Sequence, residues 1–186
     1  RIVHASIDTT PIDLTGPEGF VQSARYNQAT EYVPVPEGAV TLVLSRARVP
    51  QVVAATFTET LKKNTEYSVF VYGEASDVLR KEIIEDIVQE PSSGNGMLRF
   101  MNGYSSNSRL LLQIDSADWT PVLQLGGHSD FAELSAGEHT YAVRSEAGKT
   151  IVSGTFTLDE RSELTLVVSG SAELAVAFVT LYSDLD

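Results

Sequence analysis

The sequence predicts an all-β protein: two tandem β-sandwich domains, of immunoglobulin-like or transthyretin-like type, spanning residues 1–92 and 93–186. Three observations predict it. The second half repeats the first at a nearly constant offset. Apolar residues alternate with polar ones in short runs, with turn residues about every ten positions. The 186 residues, 42% hydrophobic and 20% charged, hold enough apolar material for packed cores. A copy of roughly 90 residues is long enough to close its own core without staples.

The repeat is read first, because missing it would misassign the whole fold. Arg1-Ile2-Val3-His4-Ala5-Ser6 lies over Arg99-Phe100-Met101-Asn102-Gly103-Tyr104, with an arginine, an apolar pair and a polar side chain in the same order. Farther on, Glu31-Tyr32 and Gly38 meet Asp130-Phe131 and Gly137, and Tyr67 to Gly73 meets Leu164 to Gly170. The offset stays between 97 and 99 throughout. Between the copies, Gln89 to Gly96 is rich in Pro, Ser and Gly, which places a linker near residue 93.

Within each copy the pattern is that of strands. Val40, Leu42 and Leu44 share one side of a period of two, as do Tyr67, Val69 and Val71, and then Tyr141 with Val143 and Leu164 with Leu166 and Val168. Pro36-Glu37-Gly38, Lys62-Lys63-Asn64, Ala136-Gly137 and Ala147-Gly148 supply the turns. Ala75 to Glu90 also carries helical spacing through Val78, Leu79, Ile83, Ile87 and Val88. Its counterpart, Leu174 to Ser183, alternates like a strand, and related sequences adopt the same element, so both read as strands. The run Tyr67–Tyr72 is apolar on both faces. It is therefore expected at the centre of its sheet, or with its outer face covered by the other copy.

Composition excludes several classes of function. A net charge of −12, with no basic run longer than Lys62-Lys63, would be repelled by nucleic acid and by anionic membranes. The longest apolar run, Leu174–Val179, is far short of the ~20 residues of a spanning helix. No cysteine is present, so neither a disulfide framework nor a thiolate metal site can form. The chain starts at Arg1 inside a strand, which suggests a leader removed by processing and leaves room for a lipid anchor on that removed segment.

The opening Arg1-Ile2-Val3-His4-Ala5-Ser6-x-Asp8, then Pro11-Ile12-Asp13, resembles the bacterial family called domain of unknown function 4397. So do Tyr26, Tyr32, Pro36 and Gly38 before a strand, and the hydroxyl- and aromatic-rich strand ending at Gly73. The first copy is similar over most of its length; the second has lost the His-Ala-Ser-x-Asp core. The resemblance implies an exported bacterial protein, often a lipoprotein or envelope component, with β-sandwich domains in tandem. It implies no activity.

Each candidate site has a plainer alternative. His4 with Asp8 suggests a general base or half a metal site. Residues four apart on a strand, however, lie ~13 Å apart along it, and Asn102 stands at the His4 position of the second copy. What recurs is hydrogen-bonding capacity, not basicity. His128-Ser129-Asp130 looks like a triad only in sequence, since triad members converge from separate segments; Gly126-Gly127 before it points to a flexible, solvated loop. His139 reads as a cross-strand partner. Three scattered histidines make no zinc site. The carboxylate pairs Asp115 with Asp118, Asp159 with Glu160, and Asp184 with Asp186 follow no calcium-loop pattern. No metal or cofactor is expected. Among the aromatics, Tyr32 matches Phe131 and fits a plug at the end of a sandwich. Tyr104 and Trp119 have no counterparts and are the better candidates for a ligand-binding surface.

The expectation is a non-catalytic extracytoplasmic module (periplasmic, outer-membrane-anchored or secreted) with a scaffold, adhesion or protein-interaction role. The alternative is a module that binds a carbohydrate or peptide through Tyr104, Trp119, His4 and Asp8, or in a cleft between copies.

Overall fold

The structure is a computed structural model and describes residues 1–7, 9–47, 53–74, 79–87, 89–106 and 109–183. Asp8, Val78, Val88, Asp184 and Asp186 lie outside the described residues. The chain divides into two compact units, Arg1–Asp86 and Ile87–Asp186.

The strands of the first unit are β1 (Ile2–His4), β2 (Ile12–Thr15), β3 (Val21–Ala24), β4 (Gln28–Ala29), β5 (Gly38–Arg46), β6 (Val53–Leu61), β7 (Tyr67–Tyr72) and β8 (Arg80–Glu85). Those of the second are β9 (Asn95–Ser105), β10 (Leu110–Ile114), β11 (Ala117–Asp118), β12 (Ala132–Ser135), β13 (Gly137–Ser145), β14 (Thr150–Leu158), β15 (Glu163–Ser171) and β16 (Val176–Ser183). In the first unit the sheets run β4-β1-β7-β8 and β3-β2-β5-β6; in the second, β12-β9-β15-β16 and β11-β10-β13-β14. Adding eight to each strand number of the first pair of sheets gives the second pair. The internal repeat in the sequence is thus a repeat of topology.

The likeness extends to detail. Each unit has one parallel pair, β1 with β7 and β9 with β15, in a sheet otherwise antiparallel. The register of β5 with β6 shifts between Leu44 and Ser45, and that of β13 with β14 between Val143 and Arg144. A β-bulge thus sits at the same place in both copies, kinking the long hairpin.

Alternation builds the cores. In the first unit Ile2, Val69 and Val71 from one sheet meet Ile12, Leu14, Val40, Leu42 and Leu44 from the other. In the second, Leu98, Phe100, Leu166 and Val168 meet Leu110, Leu112, Val143, Phe156 and Leu158. At ~1.5–3 kcal/mol for each large aliphatic or aromatic side chain removed from water, such clusters supply most of the driving force. β7 lies inside its sheet, between β1 and β8, as its two apolar faces require. Val3 and Phe70, which point away from the sandwich interior, are buried too.

β8 pairs with β7 from Tyr67↔Glu85 to Tyr72↔Arg80, so strand, not helix, is the state of the described core of the ambiguous segment. The Pro/Ser/Gly stretch before β9 is held by the second unit's carboxylates. Glu133 accepts bonds from the Ser92 N–H and hydroxyl and from Asn95 Nδ2, and Glu160 accepts from the Gly94 N–H at 2.9 Å. Gly73, just after β7, and Gly170, next to last in β15, have φ of +105° and +118°, a region open to glycine and strained for other residues.

Candidate functional site

The first repeated constellation is built on an arginine. Arg1, just before β1, matches Arg99 on β9, and both are buried. Arg1 Nε donates to Ser68 Oγ at 2.9 Å, and Arg99 Nε donates to Thr165 Oγ1 at 2.9 Å. Each guanidinium also lies on an aromatic face, Arg1 on Tyr32 at 4.6 Å and Arg99 on Phe131 at 4.4 Å from the ring centroid. The aromatic thus covers a buried cation. In the first unit the network continues: Ser68 Oγ and Tyr32 Oη both donate to Asp86 Oδ2, at 2.7 and 2.6 Å. Phe131 lacks the hydroxyl for that second step.

The second constellation is centred on His4, which is fully buried. Its Nδ1 accepts the Ser6 backbone N–H at 3.2 Å, so that nitrogen carries the lone pair. Nε2 then bears the proton and donates to Thr9 Oγ1 at 2.9 Å, while Thr9 spends its own hydroxyl proton on the Ser6 carbonyl at 2.9 Å. Tyr26 stands edge-on to the ring at 6.2 Å. Burial lowers the His4 pKa to about 4, against a smaller upward pull from the Thr10 backbone carbonyl. In the second unit Asn102 Oδ1 accepts the Tyr104 N–H at 3.1 Å, the same bond to the residue two positions ahead. Asn102 Nδ2 donates to the Leu123 carbonyl at 3.1 Å. The hydrogen-bonding role read from the His4–Asn102 correspondence is therefore what both side chains perform. His4 offers no lone pair to solvent, and Asp8, its proposed partner, lies outside the described residues.

A third group centres on His139, which the sequence marked only as a cross-strand partner. His139 on β13 is buried, stacks on Phe156 at 5.6 Å and bonds through both ring nitrogens: Nδ1 to Asp115 Oδ2 at 2.6 Å, Nε2 to the Ser135 carbonyl at 2.7 Å. Asp115 Oδ1 also accepts from Thr140 N and Oγ1 at 2.9 and 3.2 Å. Burial pulls the His139 pKa down. The bonds to Asp115 and Ser135 and the nearby carboxylate charge outweigh it, and the net shift is upward. The Asp115 pKa is lowered, chiefly by the His139 bond and then by the Thr140 N–H. His139 is thus more than a cross-strand neighbour of Phe156. A signal was present: Val40, Leu42 and Leu44 of β5 match His139, Tyr141 and Val143, so a titratable ring stands at an aliphatic core position.

The remaining candidates require corrections. Tyr104, a candidate for a ligand-binding surface, lies on β9 and is only 6% exposed, packed within the second core, where burial raises its pKa. A strand prolonged to eleven residues carries it inside. Trp119 follows β11 (Ala117–Asp118), donates its backbone N–H to the Leu112 carbonyl at 2.8 Å and packs partly buried against the same core. His4 belongs to the first unit. The stretch Gly126–Ser129 is no loose loop: Asn102 N bonds Gly127 O, Gly126 N bonds Asn102 O, and Ser129 N bonds Phe100 O, stitching it to β9. Ser129 Oγ donates to the Asp130 carbonyl and accepts from Phe100 N, and His128 Nδ1 meets the Ser129 carbonyl, so their bonds run to backbone and no relay forms. Among the described residues no three His, Asp or Glu side chains converge as metal ligands, and no helix is long and apolar enough to cross a membrane.

Comparison with curated proteins finds no match. The family described as "Domain of unknown function (DUF4397)" matches residues 1–109, which take in the whole first unit and β9. Within that span fall both members of the His4–Asn102 pair and of the Arg1–Arg99 pair, the residues around which the two copies organise their strand ends. On that match, covering more than half its length, the chain belongs to the DUF4397 family.

Proposed function

We propose that this chain is a non-catalytic extracytoplasmic module of the bacterial envelope, presenting the surfaces of two rigid sandwiches to a protein partner in a scaffold or adhesion role. One observation carries the reading. The side chains that resemble reactive groups are consumed by hydrogen bonds that hold strand ends together, and a non-titrating residue, Asn102, does the work of His4 in the other copy. A general base needs a lone pair within reach of substrate; the imidazole of His4 gives its own to Ser6. The acidic, cysteine-free composition suits an exported protein, which also agrees with what the family resemblance implies. A fold of this kind hosts many functions, so the argument rests on the residues and not on the sandwich. In vivo crosslinking in the parent cell, with photoreactive residues placed on exposed strand positions such as Thr58 and Thr155, is expected to capture an envelope protein. Capture of none at any position would count against the reading.

Trp119 favours a second reading, the binding of a carbohydrate or peptide, because it retains partial exposure beside Pro121 where β11 ends. Titration of its fluorescence with a panel of glycans and peptides tests this; a saturable change with one of them would replace the scaffold role by a ligand-binding one.

A further inference from the structure

We propose that His139 is a proton-operated latch between the two sheets of the second unit, tying them together as an imidazolium and releasing the end of β12 when it loses its proton. The argument begins with the acceptors. Asp115 Oδ2 and the Ser135 carbonyl lie 2.6 and 2.7 Å from the two ring nitrogens, and neither group can donate while the carboxylate is ionised. A neutral imidazole has one N–H. Its second nitrogen would then point a lone pair at an oxygen lone pair inside hydrogen-bonding distance. Both contacts are satisfied together only when both nitrogens are protonated.

The placement of the partners gives the proton its mechanical consequence. His139 and Asp115 belong to the sheet β11-β10-β13-β14, Asp115 at the turn between β10 and β11; Ser135 is the last residue of β12 in the sheet β12-β9-β15-β16. The ring is therefore a polar tie at the corner where Ala136 carries the chain from one sheet to the other. Once one proton leaves, the remaining one stays on Nδ1, because the bond to a carboxylate is charge-assisted and Asp115 is further fixed by Thr140. The bond lost is the one to Ser135. β12 is a four-residue edge strand with little burial, held by its ladder to β9, by the bonds of Glu133 to Ser92 and Asn95 and by this corner, so the loss falls on its C-terminal end.

The other groups around the ring do not replace the latch. Phe156 from β14 stacks on it, Ser135 contributes a carbonyl, and Tyr141, two residues along β13, also packs on Phe156. Glu138 and Thr140 alternate to the opposite face of β13, and Glu133 of β12 is engaged by Ser92 and Asn95. Asp115 is the ionisable group in hydrogen-bond contact with His139. The upward shift of the His139 pKa agrees with this arrangement. The first unit, with Val40 at the matching position, is the internal control.

The test uses the whole chain. Nitrogen-15 NMR of the imidazoles is expected to show both His139 nitrogens protonated near neutral pH, with a midpoint above its ordinary 6.5. Amide exchange of Ala132–Ser135, corrected for the intrinsic effect of pH, should accelerate about tenfold across that midpoint, as the loss of one tie predicts. In His139→Val, which restores the aliphatic residue of the first copy, the corrected exchange should be flat with pH. A midpoint at or below 6.5, or an exchange step that persists in His139→Val, would overturn the latch. Should that variant not fold, the wild-type titration and the wild-type exchange step decide the question by themselves.

Discussion

At the scale of single residues, the protein repeats a bond while changing the chemistry that makes it. His4 and Asn102 both present an acceptor to the backbone N–H two residues ahead. His4→Asn should therefore be tolerated within about 1 kcal/mol, whereas His4→Leu leaves the Ser6 N–H buried without a partner and should cost roughly 1–3 kcal/mol in chemical denaturation. Equal losses in the two variants would contradict a hydrogen-bonding role. Arg99 makes a different point. Its Nε bond to Thr165 and its stack on Phe131 both depend on a planar guanidinium, which an ammonium cannot imitate. Arg99→Lys is expected to lower stability by about 2 kcal/mol despite the conserved charge. A thermal midpoint unchanged from wild type would show that charge alone is needed there.

At the scale of elements, matching strands meet different constraints. Gly73 follows β7 and Gly170 lies near the end of β15, but a Cβ on Gly170 would collide with the Val176 carbonyl oxygen, whereas one on Gly73 would meet none of the described residues within 4 Å. Gly73→Ala should therefore show only the conformational penalty, on the order of 1–2 kcal/mol. Gly170→Ala should cost more and unpair the start of β16, visible as faster amide exchange at Val176 and Ala177. Comparable effects from the two substitutions would mean that backbone strain dominates at both. The edge strands β8 and β16 also differ. Residues Arg80–Glu85 carry four charges in six positions, but Val176–Ser183 carries none. This contrast explains why helical spacing competed with strand in the first copy and not in the second: charges interrupt the alternation that marks β16.

For the molecule as a whole, the two histidines give the units opposite responses to pH. His4 is held neutral, with a folded pKa of about 4 against 6.5 unfolded. Its contribution is therefore complete above pH 6.5 and is lost as pH falls toward 4, a change on the order of 3 kcal/mol in the first unit. His139 is shifted upward, so its contribution is complete below 6.5 and is lost as pH rises through its folded value. Asp115, shifted downward, keeps its own contribution until pH falls below 3.8. Unfolding followed by residue-specific probes should find the first unit less stable than its neutral-pH value in mild acid, and the second less stable than its mildly acidic value in mild alkali. A single common pH profile for both units would refute the assignment. His4→Asn should flatten the acid limb alone.

Period-two apolar spacing, turn residues and an internal offset were enough to determine the all-β class, the pair of sandwiches and the copy-to-copy correspondence of Arg1 with Arg99, His4 with Asn102 and Tyr32 with Phe131. These are local patterns, or comparisons of one local pattern with another, and the backbone obeys them because each strand must turn one face toward the core. Tertiary structure decided what those residues touch. The Arg–aromatic stacks and the His139–Asp115–Ser135 tie join residues 4 to 32 positions apart through sheet order and register, which no spacing rule encodes. Tyr104 went inside because β9 continues to Ser105, and Gly126–Ser129 was ordered because β9 offered it backbone partners. Long-range pairing, not residue type, set those outcomes.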